Sequence, residues 1–338
     1  MRLLVLGGTV FLGRHLVEAA LRRGHEVTLF NRGRHNPELF PDTEKLRGDR
    51  DGDLTALRGR RWHAAIDASG HVPRVVGAAA AALADAVEQY TFISSIGVYA
   101  GFPRTPGIDE SFPVAALADA TVEAVTRETV GPLKALCERA AEAIMPGRVL
   151  AVRAGLLAGP HDPTDRFTYW PRRVAQGGDV LAPVGPELRI QFADARDLAA
   201  WTLRMTEERR VGVYNATGPE HPLTLGELLD VCREVSGSRA RFTWVTEEFL
   251  LRNNLGFMEL PLWIPRSPGT STVVCDRALA AGLCFRPLAE TVSDTLTWSE
   301  TRPRDGRLRA GIERKREAEV LEAWDSRHGG AAVPVSVS

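Results

Sequence analysis

The sequence predicts an α/β fold built on a doubly wound parallel sheet, and three observations carry that prediction. The first is the opening run Leu3, Leu4, Val5 and Leu6, unbroken, apolar and ended by Gly7 and Gly8, the pattern of a strand buried on both faces. The second follows Gly13, where Leu16, Val17, Ala19, Ala20 and Leu21 alternate at helical spacing with Arg14, Glu18, Arg22 and Arg23. The third is repetition, because strand and helix patterns then alternate as far as residue 160.

Each element has its own signal. Residues 26–30 read as a second strand behind the helix-ending Gly24, and residues 48–51 end a short third one. Residues 63–68 form a fourth strand and lead into Ser69, Gly70 and His71. The Ala-rich stretch 75–88 is a helix, residues 90–93 a strand closed by 94–99, and residues 100–120 a loop. Residues 121–145 read as one long helix interrupted near Gly131 and Pro132, with Lys134 on its middle turns. Residues 148–153 are a further strand.

Beyond Pro160 the alternation weakens. Residues 161–173 crowd His161, Asp162, Asp165, Arg166, Phe167, Tyr169, Trp170 and Arg172 together, which predicts a binding surface. Short strands are expected at 180–183 and 189–192, a helix at 194–206 and a strand at 211–215. Thr224 caps a helix over 225–235, with Glu227 completing a capping box. A charged helix over 308–324 precedes a disordered tail at 329–338. The expected organisation is a dinucleotide-binding core at 1–160 and a smaller mixed α/β substrate lobe at 161–300, interleaved with returning core strands. Residues 301–338 are the C-terminal helix and flexible tail.

In sheets of this kind ligands bind at the C-terminal strand edges. Residues 7–13, 31–34, 68–71 and 94–99 all fall there. Gly7, Gly8, Thr9, Val10, Phe11, Leu12 and Gly13 form a turn that presents backbone N–H groups to a pyrophosphate. Val10 stands where the usual pattern has its middle glycine, so the motif alone is weak and an ordinary glycine turn is its bland alternative. At the second strand's end, where an acidic residue usually takes a ribose hydroxyl, the chain has Asn31, with Arg32 and Arg34 close by. A carboxylate would repel a 2′-phosphate and an arginine would pair with one. NADP is therefore the expected cofactor and NAD the alternative, against a merely solvated polar turn. Asp49 is placed to reach the adenine, and Ala68, Ser69 and Gly70 to line the same edge.

Composition bounds the rest. The 338 residues carry a formal net charge of −1, which gives no reason to expect nucleic acid or a membrane surface as partner. No apolar run approaches the roughly 20 residues of a membrane span. The four cysteines are scattered without metal-like pairing, and Met1 leads directly into the first strand. The expectation is a cytoplasmic protein with reduced thiols and no metal, a monomer or homodimer acting on a small molecule.

By Ser95 the chain resembles the extended short-chain dehydrogenase/reductases, in the NAD-dependent epimerase/dehydratase group, over roughly residues 1–300. Residues 7–13 are similar to that family's glycine turn, and closest to its atypical members such as the chloroplast stem-loop-binding proteins. Residues 94–99 resemble its serine-bearing strand end, with Ser95 at the serine position. Val130 and Lys134 lie where the family has its Tyr-x-x-x-Lys helix. Residues 189–192, 197–199 and 213–216 are similar to the returning strands that bear substrate contacts.

The resemblance implies a Rossmann-type core, a nicotinamide cofactor, a substrate-binding Ser95 and a ribose-binding Lys134. It also exposes a departure. The family's tyrosine is its general acid and base, and valine neither gives nor takes a proton. A replacement proton carrier is sought among Tyr99, His161, Asp165 and Tyr169. The expected substrate pocket draws on Ser95, Arg166, Trp170, Gln191 and Asn215, with the same tyrosines and His161. Three functions stay open: a reductase, dehydrogenase or epimerase acting on a small oxygenated metabolite with an atypical proton donor; a cofactor-bound isomerase, dehydratase or cyclase; and a dinucleotide-sensing or RNA-binding protein.

Overall fold

The opening apolar run becomes β1 (Arg2–Leu6), and Leu3, Leu4, Val5 and Leu6 are fully buried. Side chains alternate across a strand, so this one strand feeds two cores. Leu4 and Leu6 join a cluster with Phe30, Tyr90, Phe92 and Cys137. Leu3 and Val5 join Val17, Ala20 and Leu29 on the other face. Each such leucine contributes about 2 kcal/mol by leaving water.

The computed structural model describes residues 1–102, 105–119, 121–267, 273–303 and 307–328. After β1 come α1 (Phe11–Arg22), β2 (Glu26–Asn31), β3 (Glu44–Arg47), β4 (Ala64–Asp67), α2 (Pro73–Leu83), β5 (Gln89–Ser95), α3 (Val130–Ile144), β6 (Val149–Ala154) and β7 (Leu157–Ala158). Next follow α4 (Tyr169–Ala175), β8 (Asp179–Pro183) and β9 (Arg189–Ile190), then β10 (Ala193–Asp194), α5 (Ala195–Glu207) and β11 (Gly212–Ala216). The chain continues through β12 (Leu223–Thr224), α6 (Leu225–Ser236), β13 (Arg241–Val245), α7 (Glu247–Arg252), α8 (Asp276–Ala280), α9 (Leu288–Glu300) and α10 (Arg314–His328).

These elements fall into two units, each woven from three stretches. The first comprises Met1–His161, Gln191–His221 and Pro268–Arg286. The second comprises Asp162–Ile190, Pro222–Ser267 and Pro287–Ser338.

In the first unit seven of the described strands form one sheet in the order β11-β6-β5-β4-β1-β2-β3, every pair parallel, and β7 and β10 pair with each other. The winding reverses between β1 and β4, the place where such sheets open a ligand crevice. Register fixes what meets there. Leu6 pairs with Phe30 and with Asp67, so Gly7, Asn31 and Ala68 follow at one level.

The helix predicted over 121–145 is shorter: α3 begins at Val130. Pro132 is tolerated in a first turn, where its missing N–H is not needed. Extending the helix towards residue 121 would bury that proline in the interior, against the carbonyl four residues back. Gly131 in the same turn packs against Gly97, and a Cβ there would lie 2.1 Å from the Gly97 carbonyl oxygen.

In the second unit β13 pairs parallel with β8 and β12 antiparallel with β9. The Thr224–Glu227 capping box forms as the sequence signals, and Gly237 closes α6 in the left-handed conformation. The crowded segment 161–173 differs from expectation: Phe167, Tyr169 and Trp170 are buried instead of forming a surface. Two of its charges, Asp165 and Arg173, are paired within the unit, which is what lets the neighbouring aromatics turn inward. Asp165 pairs with Arg302, and Arg173 donates Nε to Glu317 at 2.7 Å. Glu317 also accepts from Arg314 at 2.6 Å and from the Leu181 amide at 3.0 Å. The tail expected to be disordered lies outside the described residues.

Candidate functional site

The glycine turn between β1 and α1 is built by contact. Gly8 has φ +89°, and a Cβ on it would meet Leu29 at 2.7 Å. A Cβ on Gly13 would stand 2.9 Å from the Gly8 nitrogen, so the helix lies directly on the turn. The absent middle glycine has a plain reason. Val10 has φ −132° and ψ 132°, extended backbone that valine adopts readily, and its side chain points to solvent, 42% exposed. Phe11 takes the positive φ instead, at 37°. No side chain caps the N-terminus of α1 and its first turn holds no acid. Its backbone N–H groups are therefore suited to an anion.

This turn forms one wall of an open cleft of about 320 Å³, lined also by residues 30–35, 48–51, 68–69, 71–72 and 75. Asn31 is tied into it. Its Nδ2 donates to the Gly7 carbonyl at 3.1 Å, and its Oδ1 accepts from the Gly33 amide at 2.9 Å and from the Arg47 guanidinium. Arg47 stands opposite Asn31 in the β2–β3 register. Arg32 approaches Asp49 to 3.9 Å at half-exposed positions, and Arg34 lines the cleft. Around Asn31, the side chains of Arg32, Arg34 and Arg47 are cationic, with Asp49 the nearby carboxylate, which suits a phosphate beyond the ribose.

Lys134 and Ser95 both sit at the C-terminal end of β5, each with its own backbone partner. The Lys134 Nζ donates to the Ile93 carbonyl at 2.7 Å and lies 4.7 Å from the centre of the Phe92 ring. Burial pulls its pKa down to about 8. Ser95 is half-buried, its Oγ accepting from the Gly97 amide at 3.0 Å. Val130, one turn before Lys134 on α3, is half-buried in the same first turn that packs on Gly97.

The other predicted residues are distributed between the units. In the first, the Tyr99 phenol donates to Asn215 and accepts from Arg153 at 2.8 Å, and Arg153 forks onto Glu138 at 2.7 and 3.0 Å. Both sides of that hydroxyl are engaged in the core, and burial raises its pKa. His161 has φ +69° and faces Arg14, whose Nη1 lies 3.3 Å from its Nδ1. Burial, then the charges of Arg14 and His15, lower its pKa to about 4. Gln191 exchanges hydrogen bonds with the Val273 backbone at 3.1 Å each way. In the second unit, Trp170 Nε1 donates to the Pro261 carbonyl at 2.7 Å, and Tyr169 is buried against Gly311. Arg166 donates to the Thr164 hydroxyl at 3.0 Å and lies 5.9 Å from the Phe257 ring centre.

Sequence reading placed His71 on the ligand-bearing edge without giving it a role, and it missed Arg47 and Arg50. Arg47 becomes visible only through the strand register. Arg50 bonds to the buried Asp67, a pairing that two ends of different strands create. His71 lines the cleft, and burial lowers its pKa to about 4. Among the described residues no group of three or more His, Cys, Asp or Glu could hold a metal ion, and no helix is long and apolar enough to cross a membrane.

Residues 3–86, the stretch that builds the turn and the first four strands, match the family model described as NAD dependent epimerase/dehydratase family. That match spans about a quarter of the chain, and the fold around it is similar to that of epimerases of known structure. Among curated proteins it is 24% identical over 259 residues to the chloroplast stem-loop binding protein of 41 kDa b of Arabidopsis thaliana. That match covers 70% of this chain and 63% of the relative, just under two thirds of its length. It is 26% identical over 272 residues to the isoflavone reductase homolog IRL of Zea mays, covering 74% of this chain and 79% of that one. Among solved structures, the UDP-glucose 4-epimerase of Thermus thermophilus in complex with NAD superposes with a TM-score of 0.66 at 18% identity, over 90% of this chain and all of that one. At that identity the likeness is one of fold.

Proposed function

We propose that this chain binds NADP(H) in the cleft at the β1–β4 reversal and is an NAD(P)-dependent reductase, dehydrogenase or epimerase acting on a small oxygenated metabolite. One observation carries the reading: an uncapped helix N-terminus on a glycine cradle, flanked by Asn31 instead of a carboxylate and by Arg32, Arg34 and Arg47. The cradle fits a dinucleotide: Gly8 and Gly13 let the turn pack directly on Leu29 and α1, where a Cβ would collide at 2.7 and 2.9 Å, and the α1 N-terminus beside it carries no side-chain cap. When bound, the nicotinamide would supply hydride transfer.

The chain's own residues have separable tasks. The α1 N-terminus holds the pyrophosphate, and the arginines hold the 2′-phosphate. Lys134, buried and half-titrated near pH 8, orients the nicotinamide ribose. Ser95 donates to the substrate oxygen. The related UDP-glucose 4-epimerase and isoflavone reductase homolog support small oxygenated substrates for this fold. Calorimetry tests the cofactor assignment: NADPH should bind about tenfold or more tighter than NADH. Equal affinity, or a preference for NADH, refutes it.

Val130 favours a second reading, in which the cofactor serves an isomerase, dehydratase or cyclase without net redox change. With the native substrate, Val130→Tyr should leave turnover unchanged or slower, since the ring overfills a packed site. A gain of about 10²-fold or more would mean that the valine merely disables a reductase.

A further inference from the structure

We infer that the guanidinium of Arg50, held in the cleft by its pairing with Asp67, is the surface against which the adenine of the bound nucleotide stacks. The inference rests on the cofactor reading above and adds to it a residue and a mode of recognition.

The cleft's order gives the base its place. The pyrophosphate belongs at the glycine turn, and the 2′-phosphate belongs beside Asn31 and Arg47. The adenosine ribose lies between them, so the base must run away from the turn across the end of β3. There the walls are residues 48–51 on one side and Ala68, Ser69, Val72 and Val75 on the other. Arg50 is the side chain that crosses between these walls. Its Nη1 donates to Asp67 Oδ1 at 2.6 Å and to Ser69 Oγ at 2.9 Å, and its Nη2 donates to Asp67 Oδ2. Ser69 Oγ in turn donates to the Leu6 carbonyl at 3.1 Å, which ties Arg50 to the foot of the glycine turn.

Asp67 is fully buried and saturated. It also accepts from the Tyr90 hydroxyl at 2.6 Å and from the Ser69 amide at 3.1 Å. A bidentate fork onto a fixed carboxylate leaves the guanidinium one orientation. Its Nη1 and Nη2 are engaged by Asp67 and Ser69, its Nε has no partner, and Arg50 lines the cleft with 12% of its side chain exposed. A planar cation held in one orientation at the wall of a nucleotide cleft is a stacking platform for a purine.

The test compares two variants that disturb the same carboxylate from opposite sides. Arg50→Lys keeps the charge and removes the plane. Tyr90→Phe removes a donor to Asp67 from within the core, outside the cleft lining. Titration of 2′,5′-ADP and NADPH by calorimetry should show Arg50→Lys weakening both by about tenfold, with Tyr90→Phe within about twofold of wild type although less stable to urea. If Arg50→Lys does not fold, Arg50→Met with Asp67→Asn removes both charges together and carries the same expectation. Two results overturn the inference while leaving the cofactor reading standing: unchanged 2′,5′-ADP affinity in the arginine variant, or equal losses in the arginine and tyrosine variants. Failure of the wild-type protein to bind either ligand overturns both.

Discussion

Replacing Gly131 by alanine tests whether the first turn of α3 is held against the turn that follows β5 by backbone contact. The added Cβ would lie 2.1 Å from the Gly97 carbonyl oxygen, about 1 Å inside the 3.0 Å below which such contacts essentially never occur. The obstacle is backbone, so it cannot rotate away, and the turn bearing Val130 must retreat. Overpacking of this kind costs about 1–3 kcal/mol. Gly77 in α2 is the control, because its Cβ would meet Ile144 at 3.6 Å and Ala140 at 3.8 Å, ordinary contact distances. Both positions are helical, so both gain up to about 1 kcal/mol from alanine's helix propensity. Gly77→Ala should therefore be neutral or stabilising, and Gly131→Ala should be about 1–3 kcal/mol less stable than it in urea unfolding. On the proposed reading, in which Lys134 one turn further on orients the cofactor, NADPH affinity should fall only in Gly131→Ala. Equal unfolding midpoints for the two variants would refute the reasoning.

Other outcomes follow from the same geometry. Changing Arg32 and Arg34 together to alanine should weaken NADPH binding far more than NADH binding, and calorimetry showing equal losses would remove them from the phosphate site. Lys134 titrates near 8 in the folded chain against an ordinary 10.5, so the unfolded chain holds more protons between these values. Its burial penalty is complete below pH 8, and stability should rise as pH climbs towards 10.5. Urea midpoints at about pH 7.5 and 10 should show that rise diminished in Lys134→Met. Trp170→Ala removes a fully buried indole from the second unit and should cost about 3–5 kcal/mol, read by thermal unfolding with NADPH affinity measured alongside.

The first unit was legible because its signals are local. The run at 3–6, the glycines at 7, 8 and 13 and the apolar face of α1 each announce themselves within a few residues. The start of α3 was misplaced because helical periodicity extends through 121–129, while Pro132 decides the boundary. Phe167, Tyr169 and Trp170 read as a surface because the charge partners Arg302 and Glu317 lie more than a hundred residues away. Arg47 and Arg50 escaped notice for a similar reason: each acquires meaning from a residue on another strand, Asn31 or Asp67. The proton-bearing candidates stay the least legible part. The hydrogen bonds of Tyr99 to Asn215 and Arg153 join three segments that no motif links.

The interleaving of the two units bears on synthesis. When the ribosome has delivered β1 to β6, the edge of β6 has no neighbour, because β11 is encoded some sixty residues later. Val149–Ala154, buried along its whole length in the finished sheet, is then an open apolar edge. An unpaired edge of that kind invites another chain to add a strand. Cutting the gene after residue 161 would make that exposure permanent, so residues 1–161 are expected to aggregate when produced alone. A fragment that retains residues 191–221 and 268–286 pairs the β6 edge with β11 and keeps the rest of its unit.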